Sequence, residues 1–171
     1  MDRPIIPTEG AVTRTASIEI AREKGAVYHY IINYKVLPQW LKKYGPIHGV
    51  KDTVINTASY SFVGANRTIH FDNGDSIVEQ LIFLDPPGYY AYTVTKFSNF
   101  FRFLTDLAYG QCAFEQQGGN TRVTWIYTFT CRNVFAKAFL AIFMETVYVG
   151  FLNRSLALAK AELEKPVGIS S

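Results

Sequence analysis

The chain has 171 residues, with 17 Lys and Arg against 14 Asp and Glu, and its basic residues are scattered rather than clustered. A net charge of only +3 without a basic stripe argues against nucleic acid as a partner. The length suits one domain that buries about two-thirds of its unfolded surface. Abundant Tyr (11) and Phe (13) beside 18% charged residues point to a well-filled core, an aromatic-lined cavity or an interface.

Taken in chain order, the start MDRPIIPTEGAVT lacks the basic and apolar regions of a signal peptide, so a cytoplasmic location is expected. Residues 1–11 are read as a flexible arm, 12–165 as one domain and 166–171 as a tail. Val12 to Ile20 alternates polar and apolar residues and predicts a strand. Two short helices follow, Gly25–Tyr34 and Leu37–Tyr44, parted because Pro38 disfavours helix before it and suits a helix start. Val50–Tyr60 predicts a second strand. Asn73-Gly74 lies between alternating runs and predicts a two-residue hairpin turn. DPPG at Asp85–Gly88 ends the next strand, and GGN at Gly118–Asn120 closes the last hairpin. Asn133 can cap a long final helix running to about Glu164. Its most apolar run, Val134–Leu152, contains Lys137 and Glu145 and is read as a core helix, so no transmembrane segment is expected.

Strand, two short helices, strand meander and long helix together predict an α+β fold: a curved antiparallel sheet wrapped around the C-terminal helix, with a cavity between them. Pairing about the last turn puts Cys112 opposite Thr124 or Trp125, about 20 Å from Cys131 at ~3.3 Å per residue. A disulfide needs Cα atoms within ~7 Å, so two free thiols are expected, in keeping with the cytoplasm.

Three segments, LPQWLKKYGPIHGV, EQLIFLDPPGYYAYTV and GGNTRVTWIYTF, with SLALAKAELE in the last helix, resemble the SRPBCC superfamily. This superfamily is also called START-like or Bet v 1-like, and the closer resemblance is to its polyketide cyclase/dehydrase group. The resemblance covers roughly residues 12 to 164 and implies a helix-grip fold with a deep apolar cavity. It implies no single reaction, since members include cyclases, lipid carriers and hormone receptors.

Parity selects the cavity face. Val123, Trp125, Tyr127, Phe129 and Cys131 share one face of the last strand, and its partner strand adds Cys112, Phe114, Gly110 and Ala108. The same parity brings Asp106 inward unless a bulge returns it to solvent. A two-residue turn at Asn73-Gly74 sets His70 and Glu79 on one face with Thr68, Leu81 and Phe83, as an acid/base pair or a surface pair. Arg67, Ile69, Phe71, Val78, Ile82 and Leu84 take the other face, and Glu79 with Leu81 is the preferred inward set.

In an unbroken final helix Ala141, Glu145, Tyr148 and Leu152 face the sheet. A kink near Gly150 would instead turn Phe139, Phe143 and Val147 inward and Glu145 out. FSNFFRFL, from Phe97, sits at the expected cavity rim, where Phe100 and Phe101 would cover the mouth and touch a ligand. Trp40 is placed under the entrance, and Tyr90 and Tyr92 could offer hydroxyls.

His29, His48 and His70 lack metal-ligand spacing, and neither a cofactor nor a metal is expected. The expected function is binding of a small hydrophobic or amphipathic molecule as carrier, sensor or store. One alternative is a cyclase using Glu145, His70, Glu79 and Asp106 as acid or base. The other is an interaction module: a homodimer through Phe139, Phe143 and Val147, or a peripheral membrane contact.

Overall fold

The computed structural model describes residues 3–166. Most of the tail expected over 166–171 therefore lies outside the described residues. Residues 3–10 form no regular element, and the Arg3 guanidinium stacks on the Tyr89 ring at 4.4 Å.

Seven antiparallel strands form one sheet in the order β1-β7-β6-β5-β4-β3-β2. They are β1 (Ala11–Ile20), β2 (Val50–Ile55), β3 (Asn66–Phe71), β4 (Ser76–Asp85), β5 (Tyr89–Thr95), β6 (Ala108–Gln117) and β7 (Asn120–Thr130). Two short helices, α1 (Lys24–Ile32) and α2 (Leu37–Trp40), fill the connection from β1 to β2. The second is shorter than predicted, because after Trp40 the chain turns into a loop held by reciprocal Tyr44–Ile47 backbone bonds of 2.9 Å.

The C-terminal helix runs from Val134 to Leu163 as α3 (Val134–Phe143), a π-helical turn (Met144–Tyr148) and α4 (Val149–Leu163). Asn133 caps it, its side-chain oxygen accepting the Ala136 N–H at 2.8 Å. By length and composition this helix could cross a membrane. In this fold it is the element that the sheet grips, burying Leu140, Met144, Tyr148, Leu152, Leu156 and Ala159 against the inner faces of the strands. The arrangement is a helix-grip fold.

Alternation on β6 and β7 follows the predicted parity: Ala108, Gly110, Cys112 and Phe114, and Val123, Trp125, Tyr127 and Phe129, are all buried inward. The β3–β4 hairpin departs from it. Its loop has three residues, with the Phe71 N–H donating to Asp75 O and the Gly74 N–H to Phe71 O. Gly74 takes φ +90°, which only glycine adopts without strain. The longer loop moves the register by one, so Arg67 faces Glu79 and His70 faces Ser76. A one-residue slip changes the face of every side chain on the strand. Glu79, Leu81, Arg67 and Ile69 therefore point inward together, and His70 lies on the other face. A bulge between Leu81 and Phe83 also moves Phe83 outward, into a small cluster with Tyr89 and Ala91.

Candidate functional site

One half of the space between sheet and helix is solid. Tyr28 of α1 meets Phe114 at 5.3 Å and Tyr90 at 5.9 Å between ring centroids, so Tyr90 and Phe114 belong to packed core. Leu81 and Leu152 are fully buried in that core, and Trp40 packs edge-on against Trp125 at 5.8 Å. None of these five expected ligand contacts lines the neighbouring chamber.

The other half holds a chamber of about 270 Å³, just below the ~300–1,000 Å³ of typical ligand pockets. Its walls are largely aromatic: Trp125, Tyr127 and Phe129 from β7, Tyr92 from β5, Phe97, Phe100 and Phe101 from the β5–β6 segment, and Tyr148 and Phe151 from the helix. Ile69, Ile77 and Val50 are among its other apolar lining residues, and Glu79 is the charged side chain deep within it. Tyr92 fits because its strand partner is Gly110: a Cβ there would lie 2.1 Å from the Tyr92 ring. The inner face over Gly110 is thus filled by a tyrosine.

Glu79 is held from behind. Arg67 donates from Nε at 2.9 Å and from Nη2 at 2.6 Å, both to Oε2, and its guanidinium stacks on Tyr60 at 4.1 Å. Among the described residues Oε1 receives no hydrogen bond. Burial pulls the Arg67 pKa down more than any other single influence, but Glu79's charge and hydrogen bonds, with Tyr60 and Tyr90, together outweigh it and the net shift is upward. Burial raises the pKa values of Tyr92 and Tyr127 well above the ordinary phenol value, and that of Tyr148 also, so these rings keep their protons. The Trp125 indole N–H donates to Tyr92 Oη at 3.1 Å.

The mouth is rimmed by polar contacts that the sequence reading missed. His48 Nδ1 lies 2.7 Å from Asp72 Oδ1, and the Gly49 N–H donates to Asp72 Oδ2 at 3.3 Å, tying the α2–β2 loop to the hairpin. On the other side Ser98 Oγ donates to Asp75 at 2.8 Å, tying the hairpin to the phenylalanine segment. The loop also rests on the helix, where Gly150 leaves room for Tyr44; a Cβ would meet its hydroxyl at 2.3 Å. A polar residue flanking each side of a glycine turn, Asp72 and Asp75 around Asn73-Gly74, was the available signal.

The other acid/base candidates are elsewhere. His70 is on the outer face, and Asp106, outside β6, is exposed and paired with Arg132. Glu145 is solvent-facing and accepts from Arg14 Nε at 2.6 Å, while the Ala141 carbonyl accepts from Arg14 Nη2 at 3.3 Å. The helix neither runs unbroken nor kinks at Gly150. The π turn shifts its phase after Phe143, so Phe143 and Tyr148 are buried, Val147 is half-buried and Phe139 is 48% exposed. Of the phenylalanines at the rim, Phe101 is buried between Phe100 at 4.2 Å and Phe129 at 5.0 Å.

A family described as polyketide cyclase / dehydrase and lipid transport matches residues 11–164. No curated protein matches the chain in sequence. Similar solved structures include the major latex-like protein 151 of Panax ginseng, at 14% identity and TM-score 0.67 over 89% of this chain and 97% of that one. Ara h 8.0201 is similar at 10% identity and TM-score 0.66, over 90% and 98% of the two chains. The di-domain ARO/CYC BexL of the BE-7585A biosynthetic pathway is similar at 17% identity and TM-score 0.69, over 92% of this chain and 52% of that one.

Proposed function

Because the chain belongs to the polyketide cyclase / dehydrase and lipid transport family, we propose that it binds a small, mainly apolar molecule in its chamber as a carrier, sensor or store. The observation that carries this reading is the chamber itself, about 270 Å³ of aromatic-walled space left open in an otherwise packed interior. Empty apolar space is costly, at roughly 24 cal/mol per Å³, and a guest would recover the lost contacts. The volume suits one or two rings or a short chain. The two free thiols, Cys112 and Cys131, favour a reducing, cytoplasmic setting.

The test is native mass spectrometry of the protein as purified, followed by uptake of two-ring aromatic probes. We expect an adduct or saturable one-to-one uptake, lost in Ile77→Trp, which fills the chamber, while the far-ultraviolet circular dichroism stays unchanged. A protein without adduct that also takes up no probe overturns the reading.

A cyclase-like reading draws support from one feature, the Glu79 carboxylate beside three protonated phenols, Tyr92, Tyr127 and Tyr148, on the chamber wall. Oε1 could take a proton from a carbon between two carbonyls while a phenol donates to the enolate oxygen. Against it, the chamber is too small to enclose a long poly-β-keto chain. Turnover of such a thioester, abolished in Glu79→Gln, separates this reading from carriage.

A further inference from the structure

We propose that the chamber selects neutral guests carrying a hydroxyl, and rejects carboxylates such as fatty acids. The proposal rests on the binding reading above and names its ligand class. Arg67 spends both of its short bonds on Glu79 Oε2 and does not line the chamber. The guest therefore meets the carboxylate face of a pair whose charges already cancel.

Two of the polar groups on the chamber wall together suit a hydroxyl head group. Glu79 Oε1 is an acceptor without a protein donor among the described residues. Tyr92 Oη already accepts from Trp125, so its own proton is left to donate. A hydroxyl can give its hydrogen to the first and accept from the second. A carboxylate can do only the latter, and would bring an uncompensated negative charge beside Oε1. An ammonium group would leave an uncompensated positive charge next to Arg67. Of the other titratable groups lining the space, Tyr127 and Tyr148 are neutral phenols, which add no charge, and His48 and Asp75 stand at the mouth rather than the floor.

The experiment is a fluorescence titration of the wild-type protein at pH 7 with 2-naphthol, naphthalene and 2-naphthoate, which share one ring system. A hydrogen bond to a charged group corresponds to about 10- to 100-fold in affinity. We expect 2-naphthol to bind about 10-fold or more tightly than 2-naphthoate, and several-fold more tightly than naphthalene. Tyr92→Phe, which keeps the ring over Gly110, should weaken 2-naphthol and leave naphthalene unchanged. Equal binding of all three, or preference for 2-naphthoate, overturns the head-group proposal while the chamber reading survives. Binding of none of them overturns the chamber reading, and this proposal with it.

An independent observation lies outside the chamber. Val134 (71%), Phe135 (83%), Phe139 (48%) and Ile142 (67%) leave one side of α3 exposed, and Phe103 (64%) extends the apolar patch from the rim segment. Phe100 joins patch and chamber, touching Phe139 at 6.5 Å while lining the mouth. We infer that this patch docks on an anionic lipid surface. Arg102, stacked on Phe103, and Lys137 have no salt-bridge partner among the described residues, and α3 contains no carboxylate. An anionic bilayer complements these cations, while the exposed rings and Ile142 seat among the acyl chains.

Co-sedimentation with phosphatidylcholine vesicles, with and without added phosphatidylglycerol, tests this. Binding that needs the anionic lipid, weakens with salt and is lost in Phe135→Ser/Phe139→Ser supports it. A dimer by light scattering that ignores both vesicles overturns it in favour of a second copy. A monomer that ignores both overturns it outright.

Discussion

Arg67 and Glu79 face each other directly across β3 and β4, side chains 4% and 8% exposed, with a 2.6 Å contact between them. Removing one partner leaves the other charged and buried, which costs about 3–5 kcal/mol. Arg67→Met and Glu79→Gln should therefore each lower stability by about that much in urea denaturation. The double variant Arg67→Met/Glu79→Leu should recover most of the loss, because two apolar side chains need no pairing. A double variant as unstable as the singles would show that packing, not charge, dominates at this position. Glu79 was expected inward, but its pairing with Arg67 was not legible, and the reason is local. Asn73-Gly74 suits a two-residue turn, yet it occupies the last two positions of a three-residue loop here. That single residue of register replaced a predicted His70–Glu79 pair with Arg67–Glu79.

At the scale of elements, what was legible depended on how far the local pattern reached. β6 and β7 pair without interruption from Ala108–Phe129 to Gln117–Asn120, so period-2 alternation placed Trp125, Tyr127 and Phe129 inward from sequence alone. The hairpin at β4 is interrupted by a bulge after Leu81, and parity failed beyond it for Phe83. The final helix failed in the same way. Leu152, Leu156 and Ala159 formed a clear stripe, but extrapolating it backwards at 3.6 residues per turn assumed α geometry throughout. The π turn at Met144–Tyr148 has a wider period, so Glu145 leaves the sheet and finds Arg14 instead. Nothing in METVY marks a π turn. It follows from tertiary contacts: Tyr148 packs on Tyr127 at 5.1 Å and on Phe129 at 5.4 Å while Leu140 and Met144 also stay buried. Gly150, two residues on, where a kink was the alternative to an unbroken helix, serves as the seat for Tyr44.

Across the whole molecule, the chamber opens between three segments remote in sequence: the α2–β2 loop, the β3–β4 hairpin and the β5–β6 rim. The first two are clasped by Asp72, whose carboxylate meets His48 and the Gly49 N–H, with Lys43 nearby. The His48 hydrogen bond is the largest influence, and it holds the Asp72 pKa below the ordinary aspartate value. A carboxyl with a depressed folded-state pKa stabilises the folded form above its unfolded value, about 3.9, and loses that contribution as pH falls through the folded value. The clasp should therefore be intact at neutral pH and release only under acid. In wild-type protein, hydrogen-exchange protection of the Gly49 amide, corrected for intrinsic rates, should hold down to about pH 4 and fall below it. Asp72→Asn should show weak protection across that range, its curve meeting the wild-type curve at the acid end. Guest release should quicken over the same interval, since the loop and hairpin that part at Asp72 form one side of the mouth. Protection at Gly49 that is insensitive to both acid and Asp72→Asn would mean that the Asp72 N–H bond to Gly49 O, at 3.0 Å, holds the rim alone.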